Sequence, residues 1–342
     1  MATAPDATRM FREAAEAPAV VARLLSANRA AVDALAAELR GQPPRAVMML
    51  GRGSSDHAGV YAKHLIETRL GVLTAAAAPS ASSVYQAPPH VDGVLMLAIS
   101  QSGRSPDLVA AAEAARNGGA RVVALVNAPD SPLAAAAHAV LPLHAGPETS
   151  VAATKSYIAA LAAVAQLVAA WSGDAGLAAA LDALPDALTE AWALDWTGLV
   201  PSLATASSLY AVGRGPGFGA ALEAALKLKE TCGLHAEAFS AAEVRHGPLA
   251  LIEPGFPVLV FAQDDASKPG VAALAQDLAG RGAQVMLAGA EGPGALPYAK
   301  VDPALQPIAL IQSFYRLANA LSLARGYDPD QPPHLRKVTE TV

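Results

Sequence analysis

The chain has 342 residues, 53% of them hydrophobic and 16% charged, with a formal net charge of −6. That length can bury a large core and suffices for two domains of ordinary size, while the acidic balance, with no basic stripe, excludes nucleic acid as an expected partner. Cys232 is the single cysteine, which excludes an internal disulfide and a multi-cysteine metal site and fits a reducing cytoplasm.

Asp6, Glu13 and Glu16 interrupt the N-terminal stretch, which lacks the apolar run of a signal peptide. Helical periodicity from about Thr8 to Arg40, broken at Pro18 and closed by Gly41-Gln42-Pro43-Pro44, predicts N-terminal helices over residues 1–40. Ala46 to Leu50 then reads as a strand running into Gly51-Arg52-Gly53-Ser54-Ser55 and a helix through Leu70, with a short strand near Val72 to Ala76. After Pro88-Pro89 come a strand from Val94 to Ile99, the loop Ser100-Gln101-Ser102-Gly103-Arg104-Ser105, a helix from Leu108 to Asn117 and a strand from Arg121 to Val126.

Strands alternating with helices of this length predict a doubly wound parallel α/β sheet, whose ligands bind at the carboxyl ends of the strands. Both Gly53-Ser54-Ser55 and the Ser100 to Ser105 loop fall there. The first N–H groups of a helix have no internal partner and carry the positive end of its dipole, so they favour a phosphate. Three serines and a glutamine add donors, and Gly103 lets the backbone approach closely. A lone Ser-Gly loop would be an ordinary helix cap; the whole string behind a buried strand predicts an anion cradle. The first α/β domain is assigned to residues 41–172, and its most apolar helical stretch, Ile158 to Trp171, is too short to cross a bilayer. A soluble cytoplasmic protein without a membrane partner is therefore expected.

Residues 173–200 read as connecting helices, and the chain then repeats itself. Leu209-Tyr210-Ala211-Val212-Gly213-Arg214-Gly215 echoes Met48-Met49-Leu50-Gly51-Arg52-Gly53, and Gly213 stands 162 residues after Gly51. Gln263 stands 162 residues after Gln101, and Gly282 163 after Gly119. Matched landmarks at nearly one offset predict a second copy of the α/β unit over residues 201–327. Opposite the cradle this copy reads Ala262-Gln263-Asp264-Asp265-Ala266-Ser267, and its two carboxylates would repel a phosphate, so one phosphate site per chain is expected.

Within the second copy, Ala220 to Thr231 reads as a helix ending near Gly233. At 100° per residue, Glu223, Lys227 and Glu230 lie within about 60° of one another, on one ridge. An exposed ridge would be a plain ion-pair face; a buried one would mean catalysis. His57 and His64 have no third partner at metal-ligand spacing, and His235-Ala236-Glu237 lacks the cysteine pair of a zinc deaminase, so neither metal nor cofactor is expected. The tail over residues 328–342 opens with Asp-Pro-Asp-Gln-Pro-Pro, cannot continue a helix, and is expected to fray.

Three strings carry a family pattern: Ala221 to Glu230, His235 to Ala238, and Glu243-Val244-Arg245-His246-Gly247-Pro248-Leu249-Ala250. With Ser100 to Gly103, Val151-Ala152-Ala153-Thr154-Lys155, the tail's Asp330-Gln331-Pro332, Leu335 and Lys337, and Phe11-Arg12-Glu13 near the start, the chain resembles the isomerase half of glucosamine-6-phosphate synthases, in the sugar isomerase (SIS) family. The resemblance implies tandem SIS domains acting on a 6-phosphorylated hexose or hexosamine. It implies phosphate binding by Ser55, Ser100, Gln101, Ser102 and Ser105, with Gly53, Ser54, Val151 and Thr154 as further substrate contacts. Glu230 would move a proton between C1 and C2, Lys227 would help hold the developing oxyanion, and Lys337 would contact the open-chain sugar. His246 would assist ring opening from the neighbouring subunit, which implies a homodimer.

The chain departs from that pattern at Ser54, Arg104-Ser105 and Ala153, where the synthases carry Thr, Glu-Thr and Ser, and these changes bear on substrate identity. The synthases' glutaminase domain has no counterpart here, so glutamine-independent chemistry is expected. The expected reaction is deamination of glucosamine 6-phosphate to fructose 6-phosphate and ammonia. The alternatives are an isomerase or deglycase for another phosphosugar amine, and a phosphosugar sensor without catalysis.

Overall fold

The computed structural model describes residues 4–337. Thr8 caps α1 (Arg9–Ala15) by accepting a hydrogen bond from the Phe11 N–H, and after Glu16 the chain continues as α2 (Ala17–Gly41). Pro18 sits in the first turn of α2, where a missing N–H has no partner to lose. Then follow β1 (Ala46–Leu50), α3 (Ser54–Leu70), β2 (Thr74–Ala76), α4 (Pro79–Ser83), β3 (Val94–Ser100), α5 (Pro106–Asn117), β4 (Arg121–Val126), α6 (Pro132–Ala136), β5 (Ala139–Pro142), α7 (Lys155–Ser172) and α8 (Ala175–Ala193). The second half holds α9 (Val200–Leu203), β6 (Ser208–Gly213), α10 (Gly217–Cys232), β7 (His235–Ser240), β8 (Pro257–Phe261), α11 (Lys268–Gly280), β9 (Gln284–Ala288) and α12 (Gln306–Ala324).

Two compact units divide the chain. Among the described residues, one comprises Ala19–Pro147, Ala159–Asp182, Arg336 and Lys337; the other comprises residues 4–18, Glu148–Ile158 and Ala183–Leu335. The first unit is built on a five-stranded sheet in the order β2-β1-β3-β4-β5, and its strand pairs are parallel. Apolar runs such as Leu95 to Ile99 and Val122 to Val126 are buried, as a parallel sheet covered on both faces requires. Ala111, Ala112 and Ala115 of α5 share a core cluster with Val122 and Ala124. The richness in alanine therefore serves close packing of helix on sheet.

The second unit repeats this order in a four-stranded parallel sheet, β7-β6-β8-β9. Its landmarks fall where the repeat placed them. At Gly51 a side chain would collide with the backbone of Ser55, and at Gly213 with the backbone of Gly217, so each copy needs its glycine where strand gives way to helix. A fifth strand survives only as the parallel bridge between Leu287 and Ala295, because Gly292-Pro293-Gly294 breaks the extended run just before it.

Two expectations are corrected by the fold. The apolar helix is longer than Ile158 to Trp171: α7 reaches from Lys155 to Ser172, with the length and hydropathy of a membrane span, and it is mostly buried within the protein. The tail is held down as far as Asp330, whose carboxylate accepts the N–H groups of Arg9 and Met10, both at 2.7 Å. Asp330 thereby satisfies two donors at the start of α1 that no helical carbonyl could reach. Lys337 is the last residue described.

Candidate functional site

The cradle forms in the first unit where β3 ends. Ser100 is buried, and its Oγ accepts the Gly103 N–H at 3.0 Å, which folds the loop back on the strand. Ser102 Oγ accepts the Arg104 N–H at 3.3 Å. Ser105 stands at the N-cap of α5 without a capping hydrogen bond from its side chain, so its hydroxyl is not spent on the helix. Gly103 has φ of 63°, and a Cβ there would strike the Ser131 side chain. Gly103→Ala is expected to displace the loop and weaken phosphosugar binding at least about tenfold, about 1.4 kcal/mol; titration with a phosphosugar checks it, and unchanged affinity would show that the loop yields without loss.

A contact invisible in the spacing ties this loop to its neighbour. Arg52, on the loop after β1, donates to the buried carboxylate of Asp107 from Nε at 2.9 Å and from Nη2 at 2.6 Å. Asp107 lies in the first turn of α5. The pair thus joins the Gly53-Ser54-Ser55 turn to the Ser100 to Ser105 loop at the point between β1 and β3 where strand order reverses, the ligand position of open α/β sheets.

In the second unit α10 carries the charged ridge, and the ridge is buried. The Glu223 and Lys227 side chains are 0% and 1% exposed, whereas that of Glu230 is 22% exposed. These numbers decide against a solvent-facing ion-pair stripe. Lys227 Nζ lies 3.4 Å from Glu223 Oε1 and donates to Glu230 Oε2 at 2.5 Å. Tyr315 of α12 donates its hydroxyl to Glu223 Oε1 at 3.2 Å. Burial by itself would lower the Lys227 pKa, but the two carboxylates outweigh it and hold the ammonium above its ordinary range. Burial, with the nearby Glu223 charge, keeps Tyr315 protonated far above the usual phenol range.

Glu230 opens onto a cavity of about 520 Å³ that it shares with Lys229, Tyr327, Pro333, His334 and Leu335. Lys227 does not line it. His334 holds a left-handed backbone, φ 65°, uncommon for a residue with a side chain. Neighbouring Cys232 is buried, which pushes its thiol up to about 11 and makes it a poor nucleophile.

The segment with Val151 and Thr154 belongs to this same unit and is held by three carboxylates. Glu13 accepts from Thr149 N and Oγ1 and from Ser150 N, and Glu148 accepts from Thr154 N and from Ser156 N and Oγ. Buried Lys155 donates to Glu16 Oε2 at 2.6 Å. The Oγ atoms of Ser150 and Thr154 are nevertheless buried without a hydrogen-bond partner. Leaving such a group unmade is unfavourable by about 1–3 kcal/mol, which marks the segment as incomplete on its own.

Of the expected site residues, Gly53, Ser54, Ser55 and the Ser100 to Ser105 group lie in the first unit, and Lys227, Glu230, His246, Val151 and Thr154 in the second. His246 is exposed on the turn Glu243–His246 and lines a different cavity from Glu230, with Arg214 and Arg245. Lys337 is half-buried and does not line the Glu230 cavity. Missed in the sequence were the Arg52–Asp107 pair, Tyr315 behind Glu223, and Tyr327 and His334 around Glu230. The tail string containing His334 was the one available signal.

The SIS domain family matches residues 42–170 and 202–288. Over 320 residues, 86% of this chain, it is 38% identical to glutamine–fructose-6-phosphate aminotransferase (isomerizing) of Aeropyrum pernix, covering 51% of that protein. The chain spans about half the length of the curated relatives it matches. Among solved structures it is similar to a Silicibacter pomeroyi protein provisionally assigned as a phosphosugar isomerase, with a TM-score of 0.90 and 43% identity over 94% of this chain and all of that one. It is similar also to the C-terminal domain of glucosamine-fructose-6-phosphate aminotransferase from Francisella tularensis, with a TM-score of 0.87 and 25% identity over 95% of this chain and 98% of that one.

Proposed function

The chain belongs to the SIS domain family, and from that premise we propose that it is a phosphosugar enzyme that deaminates glucosamine 6-phosphate to fructose 6-phosphate and ammonia. One observation carries the reading: a buried Glu223–Lys227–Glu230 array whose outer carboxylate opens onto a cavity. Binding a sugar phosphate needs a cradle. It does not need a half-buried carboxylate backed by a buried ammonium, and that favours an enzyme over a sensor.

Ring opening exposes the C1 aldehyde of the sugar. Glu230 takes the proton from C2, leaving an enolamine, and returns it to C1. The product is a C2 imine; water adds to C2, ammonia leaves with the C2–N bond, and the ketone of fructose 6-phosphate remains. A positioned base of this kind contributes about 10²–10⁴-fold. Lys227 engages Glu230 Oε2 and fixes the carboxylate, so that Oε1 carries the proton. It acts as a positioning residue, which revises its expected direct contact with the oxyanion. His246 would assist ring opening in a second copy of the chain, and Thr154 Oγ1 and the Val151 backbone would meet the sugar.

Ammonia release from glucosamine 6-phosphate without glutamine tests the proposal, with galactosamine 6-phosphate and N-acetylglucosamine 6-phosphate alongside. Release from glucosamine 6-phosphate alone is expected; silence with all three, while phosphosugar still raises thermal stability, would sink the deaminase reading. Ser102→Ala should raise KM by about tenfold with little change in kcat, because a remote phosphate contact gives mostly uniform binding. Steady-state kinetics read this directly, and an equal loss in both would mean that the contact is used in the transition state.

A further inference from the structure

The cavity that holds His246 measures about 450 Å³, with Arg214, Arg245, His246 and Ser267 on its polar wall. It sits at the second sheet's own reversal point. Arg214 follows β6 directly, and Ser267 is the N-cap of α11, the helix after β8. The order β7-β6-β8-β9 changes direction between β6 and β8, and open α/β sheets take their ligands there.

The repeat sharpens the placement. Arg214 stands 162 residues after Arg52, and Ser267 162 after Ser105, so this cavity is the second copy's counterpart of the cradle. The two carboxylates expected to repel an anion have partners of their own. Asp264 Oδ1 accepts from Lys268 Nζ at 2.9 Å, and Asp265 accepts from the Ser267 N–H at 2.8 Å, from Ser267 Oγ at 2.6 Å and from Gln263 Nε2 at 3.1 Å. Neither of them lines the cavity. Arg214 has a neutral partner, Ser240 Oγ at 3.0 Å. Arg245 stands 3.6 Å from Asp277, which is also bound by Arg281. Two guanidiniums therefore line the cavity, and a guanidinium supplies the fork of donors that suits a phosphate.

We propose that this cavity is a second anion site, distinct from the cradle, which takes a small phosphorylated metabolite with its phosphate on Arg214 and Arg245. Because His246 forms part of the wall, occupancy acts on the residue to which ring opening is assigned, and the site is placed to regulate. The single phosphate site expected from the sequence becomes two.

Calorimetric titration of the full chain with inorganic phosphate and, separately, with glucose 6-phosphate counts the sites. Two per chain are expected. R214Q/R245Q should remove one and leave the cradle; S100A/S102A should remove the other and leave this one. R214K/R245K, which keeps the charge but loses the fork, should weaken the second site about tenfold or more, and circular dichroism confirms that each variant is folded. A single site abolished by S100A/S102A, or two sites unchanged in R214Q/R245Q, would overturn the proposal. Loss of the cradle reading would appear instead as binding untouched by S100A/S102A.

Discussion

Glu230→Gln is expected to cut turnover by at least about 10²-fold while phosphosugar binding stays within a few-fold of the parent. Glutamine keeps the size of glutamate, and its amide oxygen still accepts from Lys227, so the array that encloses Glu223 and Lys227 is preserved. What disappears is a group able to take a proton from C2 and return it to C1. The cavity shared with Tyr327 and His334 keeps its shape, and affinity is therefore spared. The sharpest measurement is exchange of the C2 proton of glucosamine 6-phosphate with deuterated solvent, followed by NMR beside ammonia release. Both should fall together. Exchange that persists in the variant would assign the proton transfer to another group, and His334 on the same cavity would be the first to test.

Much of the frame was legible in the chain because parallel strands buried on both faces leave continuous apolar runs, as at Val94 to Ile99 and Arg121 to Val126, bounded by Gly and Ser. The duplication was legible for a related reason: Gly51 and Gly213 each have a helix backbone against them, so the landmark survives divergence. β7 left no such run. It is an edge strand with His235 and Glu237 exposed, and its pattern reads as a motif rather than a strand. A helical wheel put Glu223, Lys227 and Glu230 on one side of α10, but depth comes from the packing of α12, which periodicity within α10 cannot supply. That is why the difference between a 0% exposed Glu223 and a 22% exposed Glu230 had to be seen in the fold.

The same limit applies to partners far apart in the chain. Glu13 matched a family opening, yet nothing local shows that it and Glu16 hold the segment of Thr149 to Lys155. Asp264 and Asp265 were read as repulsive from their charge alone; in the fold Asp264 pairs with Lys268 and Asp265 accepts from Ser267. Charge is written in the sequence, and the direction in which a carboxylate points is not.

Lys227→Met is expected to destabilise the protein by about 3–5 kcal/mol, the usual consequence of removing one partner from a buried ion pair. Methionine replaces the stem without a cavity but takes the Lys227 ammonium away from Glu223, which is wholly buried. The lost ammonium also frees Glu230 to swing, so turnover should fall even at temperatures where the variant is folded. Urea denaturation measures the first effect and single-turnover kinetics the second. Adding Glu223→Gln separates them, because it removes the stranded charge: the double variant should regain most of the lost stability while turnover remains low. If turnover recovered with stability, Lys227 would be a structural residue only. If stability did not recover, the penalty would lie in packing rather than in the buried charge, and the electrostatic account of α10 would fail.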